Sequence, residues 1–163
     1  MKAPAFQPQW HNALMSDKER GYAHRVDIRA DAQQVWRALT ETEQLTRWCS
    51  PDAEIRARKG GLFRASVDRV TEFEGHIELF EHGRRLRLIY LPAPALPPAD
   101  TVMVDDFMLE PVPGGTIVRL LGSGVPATLE WDTQYRRLRT SWQQAIIRLK
   151  VLLERQAGPG ASP

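Results

Sequence analysis

The last third of the chain predicts one long amphipathic helix. Apolar side chains recur there every three or four residues, which is the spacing of one helix face. At roughly 1.5 Å per residue, this helix would be about 40 Å long. Its apolar face is wide enough to cover a sheet rather than to form a narrow coiled-coil seam. The face consists of Trp131, Tyr135, Leu138, Trp142, Ile146, Leu149 and Leu153.

The residues before that helix form mainly predicted strands. Apolar and polar residues alternate from Tyr22 onward and again in a series of segments after Pro51, as in strands with one buried face. Gly60-Gly61 and His82-Gly83 mark hairpin turns between them. In the segment TEFEGHIELFE the alternation predicts that Phe73, Ile77 and Leu79 share one face. About six consecutive antiparallel strands are therefore expected before the long helix.

Two short helices are predicted after the first strand. Asp31 and Gln34 have the spacing of a capping box, in which each side chain bonds to the backbone of the other residue. Thr40 and Glu43 repeat the spacing and predict a second helix start. The resulting order is one strand, two helices, a strand meander and one long helix. This order indicates an α+β protein, because the apolar face of an antiparallel sheet needs a cover and only the long helix is large enough.

Composition narrows the classes of function. The 163 residues are 42% hydrophobic and 26% charged, as in a soluble globular protein. No apolar run long enough to span a membrane is evident, and no secretory leader is evident. We therefore expect a cytoplasmic protein without a membrane partner. Cys49 is the only cysteine, and the histidines lack metal-ligand spacing, so no metal or other cofactor is predicted. The basic residues are scattered along the chain, so no nucleic-acid partner is expected.

The element order and several motifs resemble the SRPBCC superfamily, also called START-like or Bet v-like. Within it, the chain is similar to the activator of heat-shock protein 90 ATPase homologue family. The resemblance implies a helix-grip fold, in which a curved sheet of about six or seven strands wraps around the C-terminal helix. The motifs are IRADAQQVWRALTETEQLTRW (28–48), GGLFR (60–64), GHIELFEHGRRLRL (75–88), GGTIVRLLGSG (114–124) and SWQQAIIRLKVLLE (141–154).

Two positions depart from that family pattern. The family often has histidine where Gly122 stands and glycine where Ser141 stands. Any polar contact that the histidine makes in relatives is absent here. We predict an N-terminal extension over 1–20, the START-like domain over 21–156 and a flexible tail over 157–163. Trp10, Leu14 and Met15 are predicted to form an apolar patch in the extension.

Asp105 is the most unusual polar residue in the predicted core. Asp105 and Asp106 interrupt the apolar strand VMVDDFML, and neighbouring residues of a strand face opposite sides. The strand register of the family that this chain resembles implies that Asp105 faces the helix-covered side of the sheet. A buried carboxylate needs an arginine or hydrogen-bond donors, or its pKa rises. Two interpretations stay open: a ligand anchor or general base, and a structural ion pair with a cross-strand arginine such as Arg87 or Arg119.

The fold predicts a cavity between the long helix and the sheet. Its candidate lining combines aromatic and apolar side chains with Asp105 as a possible polar anchor. No nucleophile–base pair is evident, and no catalytic residue is assigned. The candidates are Phe73, Tyr90, Met103, Asp105, Phe107, Trp131, Tyr135 and Trp142.

These features favour a protein that binds a small, largely apolar molecule. A second hypothesis is a stress-related or co-chaperone-like interaction module with a chaperone partner. A third is a cyclase or hydrolase acting on aromatic or polyketide-like substrates, which would require a catalytic group such as Asp105 in the cavity. The chain is expected to be a monomer or a homodimer.

Overall fold

The computed structural model describes residues 18–157, which form three helices and seven strands. The predicted apolar patch at Trp10, Leu14 and Met15 and nearly all of the predicted tail lie outside these residues. The helices are α1 (Ala32–Thr40), α2 (Thr42–Trp48) and α3 (Asp132–Ala157), with a 3₁₀ turn at Leu129–Trp131 before α3. The strands are β1 (Glu19–Ile28), β2 (Glu54–Ile55), β3 (Leu62–Ala65), β4 (Phe73–Glu81), β5 (Arg85–Tyr90), β6 (Val104–Val112) and β7 (Gly115–Pro126).

The strands form one antiparallel sheet with the order β1-β7-β6-β5-β4-β3-β2. The last strand returns beside the first, while β2 to β7 form a continuous meander. One face of this sheet is covered by α3, whose buried side chains include Leu138, Trp142, Ile146 and Leu149. The predicted α+β architecture, with two short helices after β1 and a long terminal helix, is confirmed.

One of the two predicted capping boxes is present. At the start of α1, the Asp31 carboxylate accepts from the backbone N–H of Gln34 at 2.8 Å, and the Asp31 backbone N–H donates to the Gln34 side chain at 3.1 Å. The second prediction was wrong, because the hydroxyl of Thr40 instead donates to the carbonyl of Trp36 inside α1. Glu41 occupies the N-cap of α2 without a side-chain cap bond.

A bulge in β4 corrects the predicted strand face. Pairing with β5 shifts register between Ile77 and Leu79, and such a shift reverses the faces of the residues that follow. Phe80 rather than Leu79 therefore packs inward, with its ring centroid 5.2 Å from that of Trp36. Alternation alone could not reveal this extra residue.

The long helix begins one residue later than its apolar pattern predicts. Trp131, the first member of the pattern, lies in the 3₁₀ turn and is 1% exposed. The helix then runs for 26 residues, which is close to the predicted length. None of the helices within residues 18–157 is long and apolar enough to span a membrane.

The outer face of the sheet carries a charged cluster centred on Asp106. Arg85 donates to both carboxylate oxygens of Asp106 at 3.0 and 2.7 Å, and Arg87 adds a third contact at 3.2 Å. The Asp106 side chain is only 11% exposed. Arg87 also pairs with Glu78 on β4, so the cluster connects three neighbouring strands.

Asp106→Asn is expected to destabilise the protein by about 1–3 kcal/mol, because it removes the charged acceptor of Arg85 and one of the two carboxylates that Arg87 contacts. The matched control is Glu110→Gln, since Glu110 pairs with Arg119 on the same face but is 54% exposed. That change should cost about 0.5 kcal/mol or less. Urea unfolding of both variants measures the difference, and equal losses would contradict the assigned role of Asp106.

Candidate functional site: a buried carboxylate between α3 and the sheet

Asp105 lies on the inner face of β6, as its strand position predicts, and is 2% exposed. Its two carboxylate oxygens accept hydrogen bonds from two tyrosine hydroxyls. Tyr22 on β1 donates to Oδ1 at 2.5 Å, and Tyr90 on β5 donates to Oδ2 at 2.7 Å. The buried carboxylate is thus held by neutral donors from two other strands.

The predicted ion pair of Asp105 with Arg87 or Arg119 was wrong. Both arginines lie on the outer face, where Arg87 contacts Asp106 and Arg119 contacts Glu110. Among residues 18–157, Asp105 forms no ion pair. Arg87 does pair with an aspartate across the strands, but that residue is Asp106 on the outer face of the sheet.

Burial dominates the protonation of Asp105. Loss of solvent raises the pKa of Asp105 from its ordinary value of 3.8 to about 6, although hydrogen bonds from Tyr22 and Tyr90 and the Trp142 side chain act in the opposite direction. The pKa values of both tyrosines are raised well above 10, mainly by burial and then by the Asp105 charge. The tyrosines therefore stay neutral, and Asp105 is the group that titrates within this cluster near physiological pH.

A cavity adjoins this carboxylate. Its volume of about 10 Å³ corresponds to room for one water molecule, far below the roughly 300–1,000 Å³ of common ligand pockets. The interior is thus nearly filled, and the structure holds no space for a large preformed ligand. The lining is Tyr22, Phe63, Ala65, Val67, Phe73, Tyr90, Met103, Val104, Asp105, Ser123, Val125, Leu138 and Trp142.

Five of the eight candidate residues come together at this cavity, and three lie elsewhere. Phe73, Tyr90, Met103, Asp105 and Trp142 line it. The other three do not line it: Phe107 stands edge-on to Trp142 with ring centroids 5.5 Å apart, the Trp131 indole donates to the carbonyl of Pro98, and the Tyr135 hydroxyl donates to the carbonyl of Gly21.

Tyr22 is the important residue that the sequence analysis missed. An even number of positions separates it from Val26 and from Ile28, so its side chain points to the same face of β1. Both of those residues are buried on the inner face. This spacing was the available sequence signal that Tyr22 faces inward. Ala23, the next residue, points to the opposite face of the strand and is exposed.

Gly122 makes the contact between Tyr22 and Asp105 possible. Tyr22, Gly122 and Asp105 occupy one row across β1, β7 and β6. A Cβ atom on Gly122 would lie 2.1 Å from the ring carbon that carries the Tyr22 hydroxyl. The ring of Tyr22 fills the space that a side chain at position 122 would occupy. This explains why glycine, and not the histidine of the family pattern, is found there.

The other candidate groups for chemistry are inert or exposed. Cys49 is fully buried, and burial raises the pKa of its thiol to about 12, so it stays protonated. His76 and His82 are exposed. Over residues 18–157, no group of three or more histidine, cysteine or acidic residues is arranged to hold a metal ion.

A larger open groove lies near the C-terminal end of α3. It measures about 390 Å³ and is bordered by the β6–β7 turn and the end of β1. Its charged side chains satisfy one another, since Glu154 pairs with Lys150 at 3.1 Å and with Arg29 at 3.4 Å. This groove lacks a buried unpaired charge, in contrast to the cavity at Asp105.

An antiparallel sheet around one long terminal helix, with a buried polar group enclosed between the two, defines a START-like helix-grip domain. The particular family follows from the sequence, because residues 29–154 match the family described as Activator of Hsp90 ATPase homolog 1-like protein. The chain belongs to this family. A search among curated proteins finds no match.

Solved structures of similar fold include proteins from several bacteria. Protein MLL2253 from Mesorhizobium loti is 25% identical with a TM-score of 0.72, and the match covers 83% of this chain and 98% of that one. The Aha1 dimer from Colwellia psychrerythraea is 19% identical with a TM-score of 0.68, covering 82% and 96%. CalU16 from Micromonospora echinospora is 19% identical with a TM-score of 0.66, covering 88% and 80%.

Proposed function

We propose that this protein binds a small molecule with an apolar body in the space between α3 and the sheet, with Asp105 as its polar anchor. The observation that carries the proposal is a carboxylate, 2% exposed, on the wall of an otherwise apolar cavity. Burying such a group costs stability, and ionisable groups with strongly shifted pKa values in cavities are typical of functional sites. Membership of a family with a helix-grip fold supports the same function.

Binding of anything larger than a water molecule requires the cavity to expand. The segment 91–103 borders it and contributes Met103. This segment has no regular secondary structure and is attached by few bonds, including Thr101 Oγ1 to the Gly124 carbonyl at 2.6 Å. Its displacement would break the backbone bond from the Tyr90 N–H to the Met103 carbonyl, but it would leave the β5–β6 pairing from Val104 onward in place. We therefore expect ligand entry beside Met103.

The Met103 methyl group offers a direct test of this proposal. We expect its ¹H–¹³C NMR signal to shift saturably when benzyl alcohol, phenol or benzylamine is added to methyl-labelled protein. Met108 is the internal control, because it lies on β6 on the outer face of the sheet, away from the cavity. Comparison with Met103→Leu assigns the signal. If none of the three probes shifts the Met103 signal, the proposed function is wrong.

A variant that fills the cavity should abolish this response. Ala65 lines the cavity on β3 and is 2% exposed, so Ala65→Leu would place three additional carbon atoms there. The expected loss of stability is about 1–3 kcal/mol. Ala23→Leu is the matched control, because Ala23 is an exposed strand residue. Probe shifts that persist unchanged in Ala65→Leu would place the binding site elsewhere.

Two alternatives have weaker support. An enzyme would use Asp105 as a general base, and a pKa of about 6 suits that task, but tyrosine hydroxyls already occupy both of its oxygens. An interaction module with a chaperone partner, or a homodimer, is supported by the family description and by the similar fold of the Aha1 dimer from Colwellia psychrerythraea. The charged pairs on the outer sheet face do not favour that face as an apolar interface.

A further inference from the structure

We infer that the ligand of this site carries a protonated amine, for which Asp105 is the counter-ion. This inference rests on the proposed function and specifies the chemical class of the ligand. Three features carry it: an unpaired buried charge, an aromatic lining and the volume of the cavity.

Within residues 18–157, the charge of Asp105 has no oppositely charged partner. Its neighbour Asp106 contacts two arginines although its side chain is more exposed, whereas Asp105 forms no ion pair with any residue between 18 and 157. An ionised carboxylate has about four acceptor positions, and two of them receive the hydroxyls of Tyr22 and Tyr90. Capacity is therefore left for a donor that also brings positive charge.

The surrounding rings favour a cation over an anion. The negative faces of aromatic rings attract an ammonium group and repel an anion, so a lining with five rings beside a carboxylate suits a cationic ligand. The ring of Tyr90 stands edge-on to Phe63 and Phe73, with centroid distances of 6.2 and 5.8 Å. A neutral hydroxyl could also bond to Asp105, but it would leave the buried charge uncompensated. The five rings of the lining are Tyr22, Phe63, Phe73, Tyr90 and Trp142.

The volume of the cavity agrees with an ammonium head group. A space of about 10 Å³ holds one water molecule, and an ammonium group is of similar size. The head group would fit beside Asp105 with little rearrangement, and only the apolar body requires the cavity to expand. A planar carboxylic acid or a phosphate would need more space as well as a favourable charge.

A matched pair of probes tests the inference. Benzylamine and benzyl alcohol have nearly the same shape, but only benzylamine is cationic at pH 7.5. We expect benzylamine to bind at least about 10-fold more tightly, as measured by titration of the Met103 methyl signal, because hydrogen bonds between charged groups are stronger than neutral ones. In Asp105→Asn the preference should fall to within about 2-fold. Glu74→Gln, which removes an exposed carboxylate on β4, should leave the preference unchanged.

The outcomes separate the inference from the proposed function. If benzyl alcohol binds to the wild-type protein as tightly as benzylamine does, the amine assignment is overturned while ligand binding stands. If neither probe shifts the Met103 signal, both fall. A preference for benzylamine that persists in Asp105→Asn would also overturn the role of Asp105. The comparison within the wild-type protein remains decisive even if that variant does not fold.

Discussion

Asp105→Asn is expected to gain about 2–3 kcal/mol of stability relative to the wild-type protein as the pH rises from 4 to 7.5. The pKa of Asp105 rises from 3.8 in the unfolded chain to about 6 in the folded protein, and each pKa unit corresponds to about 1.4 kcal/mol. Near pH 4 both folded states hold a neutral side chain at this position. At pH 7.5 only the wild-type protein holds a buried charge.

The sign of this effect follows from proton binding. Between the two pKa values the folded protein binds the Asp105 proton more strongly than the unfolded chain does, so wild-type stability falls as the pH rises. The penalty is complete above pH 6 and absent below the unfolded pKa. Asparagine has no such titration. Its poorer hydrogen bonding to the two tyrosines adds a constant cost that does not alter the slope.

The groups around Asp105 do not obscure its titration. Tyr22 from β1 and Tyr90 from β5 have pKa values raised well above 10, Cys49 has a pKa of about 12, and the Trp142 side chain from α3 does not ionise. The remaining influence is the charge of Asp106 across the sheet, which raises the pKa of Asp105 slightly. Asp105 is therefore the residue that dominates the difference between the two proteins over this pH range.

Urea unfolding at intervals between pH 4 and 7.5, followed by tryptophan fluorescence, measures the difference in free energy of unfolding. Asp27→Asn is the control, because Arg25 lowers the pKa of exposed Asp27 and gives a trend of opposite sign. A stability difference for Asp105→Asn that does not change with pH would contradict the assigned protonation. A loss of stability that is the same at every pH would indicate that Asp105 acts only through its hydrogen bonds to Tyr22 and Tyr90.

The architecture could be predicted because it follows from periodicity. Strand alternation and the apolar face of α3 each extend over many residues, so a local irregularity does not hide them. The same alternation predicted that one of Asp105 and Asp106 faces inward, and the family register indicated Asp105. The bulge at Ile77–Leu79 and the false cap at Thr40 were not predicted, because each depends on pairing or backbone geometry at a single residue.

The hydrogen-bond partners of Asp105 could not be predicted from strand alternation. Alternation assigns a residue to a face, but it does not say which residues of neighbouring strands share its row. The arginines were therefore matched to the wrong aspartate, and Tyr22, which is 83 residues away from Asp105, was overlooked. The volume of the cavity is a small difference between large packed volumes, and no pattern in the sequence specifies it.

Gly122→Ala is expected to destabilise the protein by about 3 kcal/mol or more, although it adds only one methyl group. Its Cβ would lie 2.1 Å from the nearest atom of the Tyr22 ring, so the ring must move. Tyr22 is buried and bonded to Asp105, and its displacement adds the loss of a hydrogen bond to a buried charge to the cost of overpacking. Urea unfolding of the variant measures the loss.

The decisive comparison is made in a Tyr22→Ala background. That change alone should cost about 3–5 kcal/mol, but it removes the ring that collides with residue 122. Gly122→Ala should then cost less than about 1 kcal/mol, which gives a favourable coupling of at least about 2 kcal/mol. Gly115→Ala is the control, because its Cβ would meet the backbone carbonyl of Ile28 at 2.2 Å, and its cost should be independent of Tyr22. Additive effects of the changes at 22 and 122 would show that Gly122 is required for another reason. A strong coupling would show that this glycine allows Tyr22 to reach across the sheet and hold the buried carboxylate.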